Sequence, residues 1–372
     1  MPKMATNSFP NKLEYRAIIF DDDKLVTKTT FRKTLIGITL GAFKVACVIC
    51  VILFGIVPLI FKYSYGFQRS VVFLTFINVP SSADYEHPEK YGLSGSRNFR
   101  ITAENVELGT WQILPANLEN INETSAEFFE RVLSDGQPVV IYNHGNGGCR
   151  LTPHRIETYH MLRKFFHVIA FDYRGYGDSS SEPPSEPDVV RDIVNVYKWV
   201  RNRTRTNVFI WGHSLGTSLS TNALREIQQL PLEKPLGLIL ESPFNNMREE
   251  IGEFPLAKMF KFLPWFKATI VNPMSENFKF ETDRYVCEVN VPVMILHAKD
   301  DKVVPYKLGE KLYAGAKQCR SEAQGPVLFH SFDARYKFGH KYISRAEDLP
   351  EKINEFLEIC LEIKTDKIDH QY

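Results

Sequence analysis

Charge of one sign is missing from this sequence: 45 lysines and arginines stand against 44 aspartates and glutamates, for a formal net charge of +1. No basic excess exists to neutralise phosphates, which argues against nucleic acid as the main partner. Cysteine is sparse, with six in 372 residues, so the chain is not a small scaffold held by disulfides. Glycine and proline, 21 of each, are too few for a collagenous or low-complexity chain, and a 44% hydrophobic content excludes wholesale disorder. The ten histidines show neither H-E-x-x-H nor paired spacing with the cysteines, so no metal site and no cofactor is expected. No internal repeat is evident.

What is present is first of all a long apolar run. Residues 35–61 (LIGITLGAFKVACVICVILFGIVPLIF) carry one charge, Lys44. At 1.5 Å of rise per residue, about 20 such residues cross a hydrocarbon core of about 30 Å. A buried core helix would show a polar stripe, and a cleaved signal peptide would start nearer the terminus and be shorter. The spacing predicts a transmembrane helix over 35–61, with Lys44 snorkelling to the nearer interface. Arg16, Lys24, Lys28, Arg32 and Lys33 precede it, whereas only Lys62 and Arg69 follow closely. The positive-inside rule then keeps residues 1–34 in the cytosol and sends the remainder across. Sequons at Asn122 and Asn202 agree with a lumenal domain. Cys149, Cys287, Cys319 and Cys360 could pair there in three complete ways; free thiols are the default expectation. Residues 67–79 (FQRSVVFLTFINV) read as a strand or as a segment at the membrane interface.

From residue 98 onward, short apolar runs alternate with helical patterns. Early strands are expected over 99–114 around a turn at Leu108-Gly109. Further strands are expected at 138–142, 167–171, 207–211, 237–240, 292–296 and 326–329. Each run is short, lacks clean alternation and is rich in Val, Ile, Leu or Phe, as strands buried on both faces of a parallel sheet are. Helices are expected at 153–164, 188–201, 215–229, 306–317 and 344–362. This rhythm predicts a doubly wound α/β sheet, whose ligands bind beyond the carboxyl ends of the strands. One interval, 243–291, breaks the rhythm and is rich in Phe and Trp; it reads as a cap offering apolar surface to an acyl chain.

The strongest chemical signal is Gly212-His213-Ser214-Leu215-Gly216, a G-x-S-x-G set between an apolar strand and a helical pattern. Such a turn exposes Ser214 Oγ above the sheet. A serine hydroxyl needs a base within hydrogen-bond reach, and this architecture supplies an acid and then a histidine in that order. The acidic pair Asp300-Asp301 follows one strand, and spacing alone does not choose between them. His340 lies in the loop after the last strand, and the competing His144, His213, His297 and His330 do not. The glycine-rich run Asn143-His-Gly-Asn-Gly-Gly148 follows another strand and lacks the Lys-Ser/Thr of a phosphate loop. The N–H groups of Asn146 and Leu215 are the expected oxyanion donors.

With these pieces in place the chain resembles the α/β-hydrolase superfamily, and within it the abhydrolase domain-containing protein 12 family, the lysophosphatidylserine lipases. The likeness rests on the glycine run just quoted, Asp172-Tyr-Arg-Gly-Tyr-Gly-Asp-Ser179, Gly212-His-Ser-Leu-Gly-Thr217, Leu296-His-Ala-Lys-Asp-Asp-Lys-Val-Val-Pro305 and His340-Lys-Tyr-Ile343. The resemblance implies Ser214, Asp301 and His340 as catalytic triad. It also implies lysophosphatidylserine, other lysophospholipids and monoacylglycerol as substrates, and a lumenal endoplasmic reticulum site. The expected organisation is a cytosolic tail (1–34), a transmembrane helix (35–61), a juxtamembrane segment (62–97), an α/β-hydrolase domain (98–364) with its helical cap, and a tail (365–372). The expected partners are the lipid bilayer and the lysolipid or monoacylglycerol substrate. A protein or acyl thioesterase would use the same three residues and is the alternative reading.

Overall fold

The computed structural model describes residues 12–77, 80, 82–121, 123 and 125–369. The Asn122 sequon and both extreme termini lie outside the described residues. The chain divides into two compact units, Met1–Ile60 and Phe61–Tyr372.

The first unit is helical from Lys12, through Val51 and into a π-turn beginning at Ile52. One helix long and apolar enough to cross a membrane runs over Thr30–Tyr63, and it brackets the expected 35–61. Helical structure thus reaches back well into the segment expected as a tail.

The second unit is built on an eight-stranded sheet. Its strands are β1 (Ser96–Ala103), β2 (Val106–Ile113), β3 (Val139–Asn143), β4 (His167–Phe171), β5 (Val208–His213), β6 (Gly237–Glu241), β7 (Val293–Ala298) and β8 (Val327–Phe332). They lie in the order β1-β2-β4-β3-β5-β6-β7-β8. β1 and β2 form an antiparallel hairpin joined antiparallel to β4, and the other neighbours run parallel. Every residue of β3 to β7 is buried, which is why those runs show no alternation. Crossover helices cover both faces. In Glu186–Arg201, Ser185 caps the N-terminus by accepting from Asp188 N–H, and Val189, Ile193, Val196, Tyr197 and Val200 form the inward face.

Three expectations change. The hairpin turn falls at Glu104-Asn105, where Glu104 takes φ 55°; Leu108 and Gly109 lie within β2. The 67–79 stretch is not a strand: Tyr65–Val72 is a helix capped by Ser64. Phe61, Val72 and Phe73 enter the main core, so the compact unit begins well before residue 98. Free thiols are likewise not the outcome throughout, because Cys287 and Cys319 form a disulfide with Cα atoms 5.5 Å apart. It ties the end of the cap interval to the helix Tyr306–Cys319.

The 243–291 interval folds into short helical turns, including Met247–Glu253 and Asn272–Asn277. Its aromatics divide: Phe244, Phe266, Phe278 and Phe280 are core, while Phe254 and Phe262 face solvent.

Candidate active site

Ser214 sits between the last residue of β5 and the first residue of the helix Leu215–Ile227, with φ 54° and ψ −119°. For a residue with a Cβ this conformation costs about 1–3 kcal/mol and persists only where the surroundings impose it. Here Ser214 N–H donates to Glu241 O of the neighbouring strand at 2.9 Å, and Thr217 Oγ1 donates to Ser214 O at 2.6 Å. Two residues on, Gly216 packs so tightly under β3 that a Cβ there would lie 2.2 Å from Asn143 O. The spacing of the motif is therefore a steric requirement of this turn.

Past the end of β7, Asp301 is buried. Its Oδ1 accepts the N–H groups of Val303 and Val304 at 2.8 and 3.0 Å, and its Oδ2 lies 2.7 Å from His340 Nδ1. Burial alone would raise this carboxyl, but the His340 and His297 rings outweigh it and hold Asp301 well below the usual carboxylate range. Asp301 is thus an anion oriented at the imidazole. Asp300 is more than a turn residue: both its oxygens accept Gly339 N–H at 3.1 Å, which ties down the loop just before His340.

The Ser214 end of the constellation is brought to the imidazole by His213. His213 Nε2 lies 2.8 Å from His340 O, and the two rings stack with centroids 5.0 Å apart. No hydrogen bond joins Ser214 Oγ to the His340 ring among the described residues. Catalytic hydrogen bonds often tighten only once substrate is bound.

The glycine run after β3 passes against the same corner: a Cβ on Gly145 would meet His213 Nδ1 at 2.9 Å and Ser214 Cβ at 3.0 Å. A buried arginine shapes this loop. Arg155 donates to Cys149 O, Gly145 O and Gly147 O at 2.8, 2.8 and 2.7 Å. Drawing three carbonyls to one guanidinium leaves the loop's amides on its other side. Neither Asn146 N–H nor Leu215 N–H is engaged in a hydrogen bond among the described residues, whereas Asn146 Oδ1 accepts from Leu74 N–H and Tyr176 O–H.

The Asp172–Ser179 motif serves this loop from behind. Arg150, fully buried, bridges Asp172 and Asp178 at 2.6 and 2.5 Å. Its own N–H also donates to Asp172 Oδ1. The region is therefore charge-compensated structure with no direct place in the chemistry.

Sequence reasoning missed His213, His297, Asp300 and Arg155 as contributors. Three of them were visible in the chain as competitors or turn residues, and only the fold shows what they touch. Among the described residues no group of three or more His, Cys, Asp or Glu side chains is arranged to hold a metal ion.

Fold and site together define a serine hydrolase of the α/β-hydrolase class, and the general alpha/beta hydrolase fold family matches residues 138–248. The chain is 39% identical over 308 residues to the lysophosphatidylserine lipase ABHD12 of Gallus gallus, covering 82% of this chain and 80% of that protein. The Danio rerio lysophosphatidylserine lipase ABHD12 is 37% identical over 306 residues, with coverages of 81% and 80%. The chain belongs to the ABHD12 family. The human protein ABHD12B is also related, at 31% identity over 77% of this chain and 79% of its own length. Among solved structures, the Pyrococcus furiosus esterase Pf2001 shares the fold with a TM-score of 0.55, 21% identity, and coverage of 76% of this chain and 97% of that one.

Proposed function

We propose that this protein is a membrane-anchored lipase that cleaves the carboxylic ester of single-chain lipids, with lysophosphatidylserine as the leading substrate and other lysophospholipids and monoacylglycerol as further ones. The observation that carries the reading is the meeting of a strained Ser214 elbow with the His340–Asp301 pair at the carboxyl end of one sheet. In this reading Ser214 Oγ attacks the ester carbonyl and His340 Nε2 takes its proton. Asp301 steadies the imidazolium through Nδ1–H, and the N–H groups of Asn146 and Leu215 receive the oxyanion. His340 then protonates the departing glycerol oxygen, and water resolves the acyl-enzyme by the same steps in reverse. Kinship with lipases named for lysophosphatidylserine supports the substrate class.

The reading places the hydrolase domain in the lumen of the endoplasmic reticulum. The Cys287–Cys319 disulfide supports it, since such bonds persist in oxidising compartments. Asn202, exposed at the C-cap of its helix, is the candidate glycan acceptor.

The test is Ser214→Ala in the full-length protein in membranes. Release of fatty acid from lysophosphatidylserine should fall by about three to six orders of magnitude, and labelling by a fluorophosphonate should vanish. Unchanged hydrolysis would remove Ser214 from the mechanism. Hydrolysis of acyl-cysteine peptides in preference to lysolipids would instead favour a thioesterase.

A further inference from the structure

We infer that residues 254–267 of the cap interval form a second membrane-contacting surface, one that rests on an anionic lipid bilayer beside the point where the chain leaves its membrane helix. Three observations meet here, all within the unit Phe61–Tyr372.

The first is exposure with a fixed inner side. Phe254, Met259 and Phe262 are 41%, 64% and 77% exposed, while Phe260, Leu263 and Trp265 of the same stretch pack on the main core. The outward apolar groups are therefore held by an anchored inner face. Large apolar side chains gathered on one patch, unlike single ones scattered over a surface, mark a contact site.

The second is charge. Between Glu253 and Glu276 the sequence holds Lys258, Lys261 and Lys267 and no acidic residue. Lys261 and Lys267 are exposed and make no ion pair among the described residues. Lysine interleaved with Phe, Trp, Met and Leu is the composition of segments that lie in the headgroup layer, where each cation gains from anionic lipid. A protein partner would more often meet a face depleted of lysine.

The third is continuity with the membrane exit. Buried Gln68 donates to Phe61 O and Lys62 O at 2.8 and 3.0 Å, capping the end of the apolar helix. Its Oε1 in turn accepts from Asn277 Nδ2 at 2.7 Å, and Tyr65 stacks on Phe278 at 5.1 Å. Lys62 lines one cavity together with Ala268, Asn272 and Asn277. The residues leaving the bilayer are thus fastened to the segment that directly follows the patch, and Tyr63, Tyr65 and Phe67 beside them are exposed as well. A cap resting on the bilayer would admit a single-chain lipid without its passage through water, a consequence that rests on the lipase reading.

The experiment uses the full-length protein, with Cys47→Ser and Cys50→Ser, reconstituted in vesicles of phosphatidylcholine and phosphatidylserine. A bimane label is placed on Phe262→Cys or, as control, on Ala323→Cys, an exposed position near the amino end of β8. Spin-labelled lipid should quench the first at least threefold more strongly than the second. In parallel, F254S/M259S/F262S should lower turnover of vesicle-borne lysolipid at least fivefold and leave hydrolysis of a water-soluble short-chain ester unchanged. Equal quenching at the two positions, or equal loss on both substrates, would overturn the inference. Quenching requires no activity, so its failure is distinct from failure of the lipase reading.

Discussion

His213 Nε2 and the backbone carbonyl of His340 lie 2.8 Å apart, so the residue before the candidate nucleophile holds the loop that carries the candidate base. Because a carbonyl can only accept, His213 must carry its proton on Nε2. Burial and the adjacent His340 ring lower its pKa to about 3, which keeps it neutral at working pH. The pair couples the β5 elbow to the loop after β8 without passing through Ser214 itself.

This makes His213 a positioning residue. His213→Ala should lower kcat by about 10- to 100-fold with little change in KM, since displacing a reacting group by about 1 Å has that cost. His213→Gln keeps a donor of similar reach and should recover much of the loss. Steady-state kinetics on both variants checks this. A purely structural role would lower the yield of folded enzyme in both and leave the kcat of what remains intact.

Arg155 should matter to the loop as much as His213 does to the imidazole. Removing its guanidinium leaves three carbonyls of the glycine run without their donor, and each orphaned buried group costs about 1–3 kcal/mol. Arg155→Met should therefore lower stability by about 3–5 kcal/mol by thermal or denaturant unfolding. Arg155→Lys, a single ammonium that cannot fork to three acceptors, should recover only part of it. Equal stability of Arg155→Met and the parent would show that the loop holds its shape without the clamp.

These two residues mark where legibility stopped. The strands β3 to β8 could be read from the chain because burial on both faces turns each into a short apolar run. The elbow could be read because Gly216 and Ser214 answer local steric demands. Arg155 could not, since its contacts depend on backbone angles across 145–149 that no spacing encodes. Asp300 and Asp301 are neighbours in sequence, and only the fold shows one binding Gly339 N–H and the other the His340 ring. The hairpin turn was misplaced because Gly109 looks like a turn residue, yet it sits in β2 opposite Arg100, while Glu104 takes the left-handed angle instead. Pairing of Cys287 with Cys319 needs two distant segments side by side, which composition does not reveal.

That disulfide predicts a measurable sensitivity. It closes a loop with a sequence separation of 32 residues, for which chain entropy gives a stabilisation of about 2–4 kcal/mol. Cys287→Ser should lower the melting temperature by several degrees, and a reducing agent should do the same to the parent and nothing further to the variant. If the reductant shifted both equally, the effect would come from elsewhere.

The final prediction concerns pH and rests on two buried carboxyls near Asp301. Burial pushes Glu241 up to about 7, and the charge of Asp301 adds to it, while the hydrogen bond from Trp211 Nε1 opposes them. Burial, then Asp301 and Glu253, push Glu250 up to about 8. In the unfolded chain both would release their protons near the ordinary 4.5. Between that pH and their folded values the folded state binds more protons, so stability declines as pH rises. Asp301 has the opposite sign: its depressed pKa contributes stability that is present above about pH 4 and lost as the solution is acidified. The parent should thus be most stable in mildly acidic solution. Glu241→Gln keeps an acceptor for Trp211 but has no proton to lose. It should match the parent near pH 4.5 and exceed it by up to about 3 kcal/mol at pH 8, as denaturant unfolding across that range would show. Parallel curves for parent and variant would mean that Glu241 ionises in the folded protein as readily as it does in water.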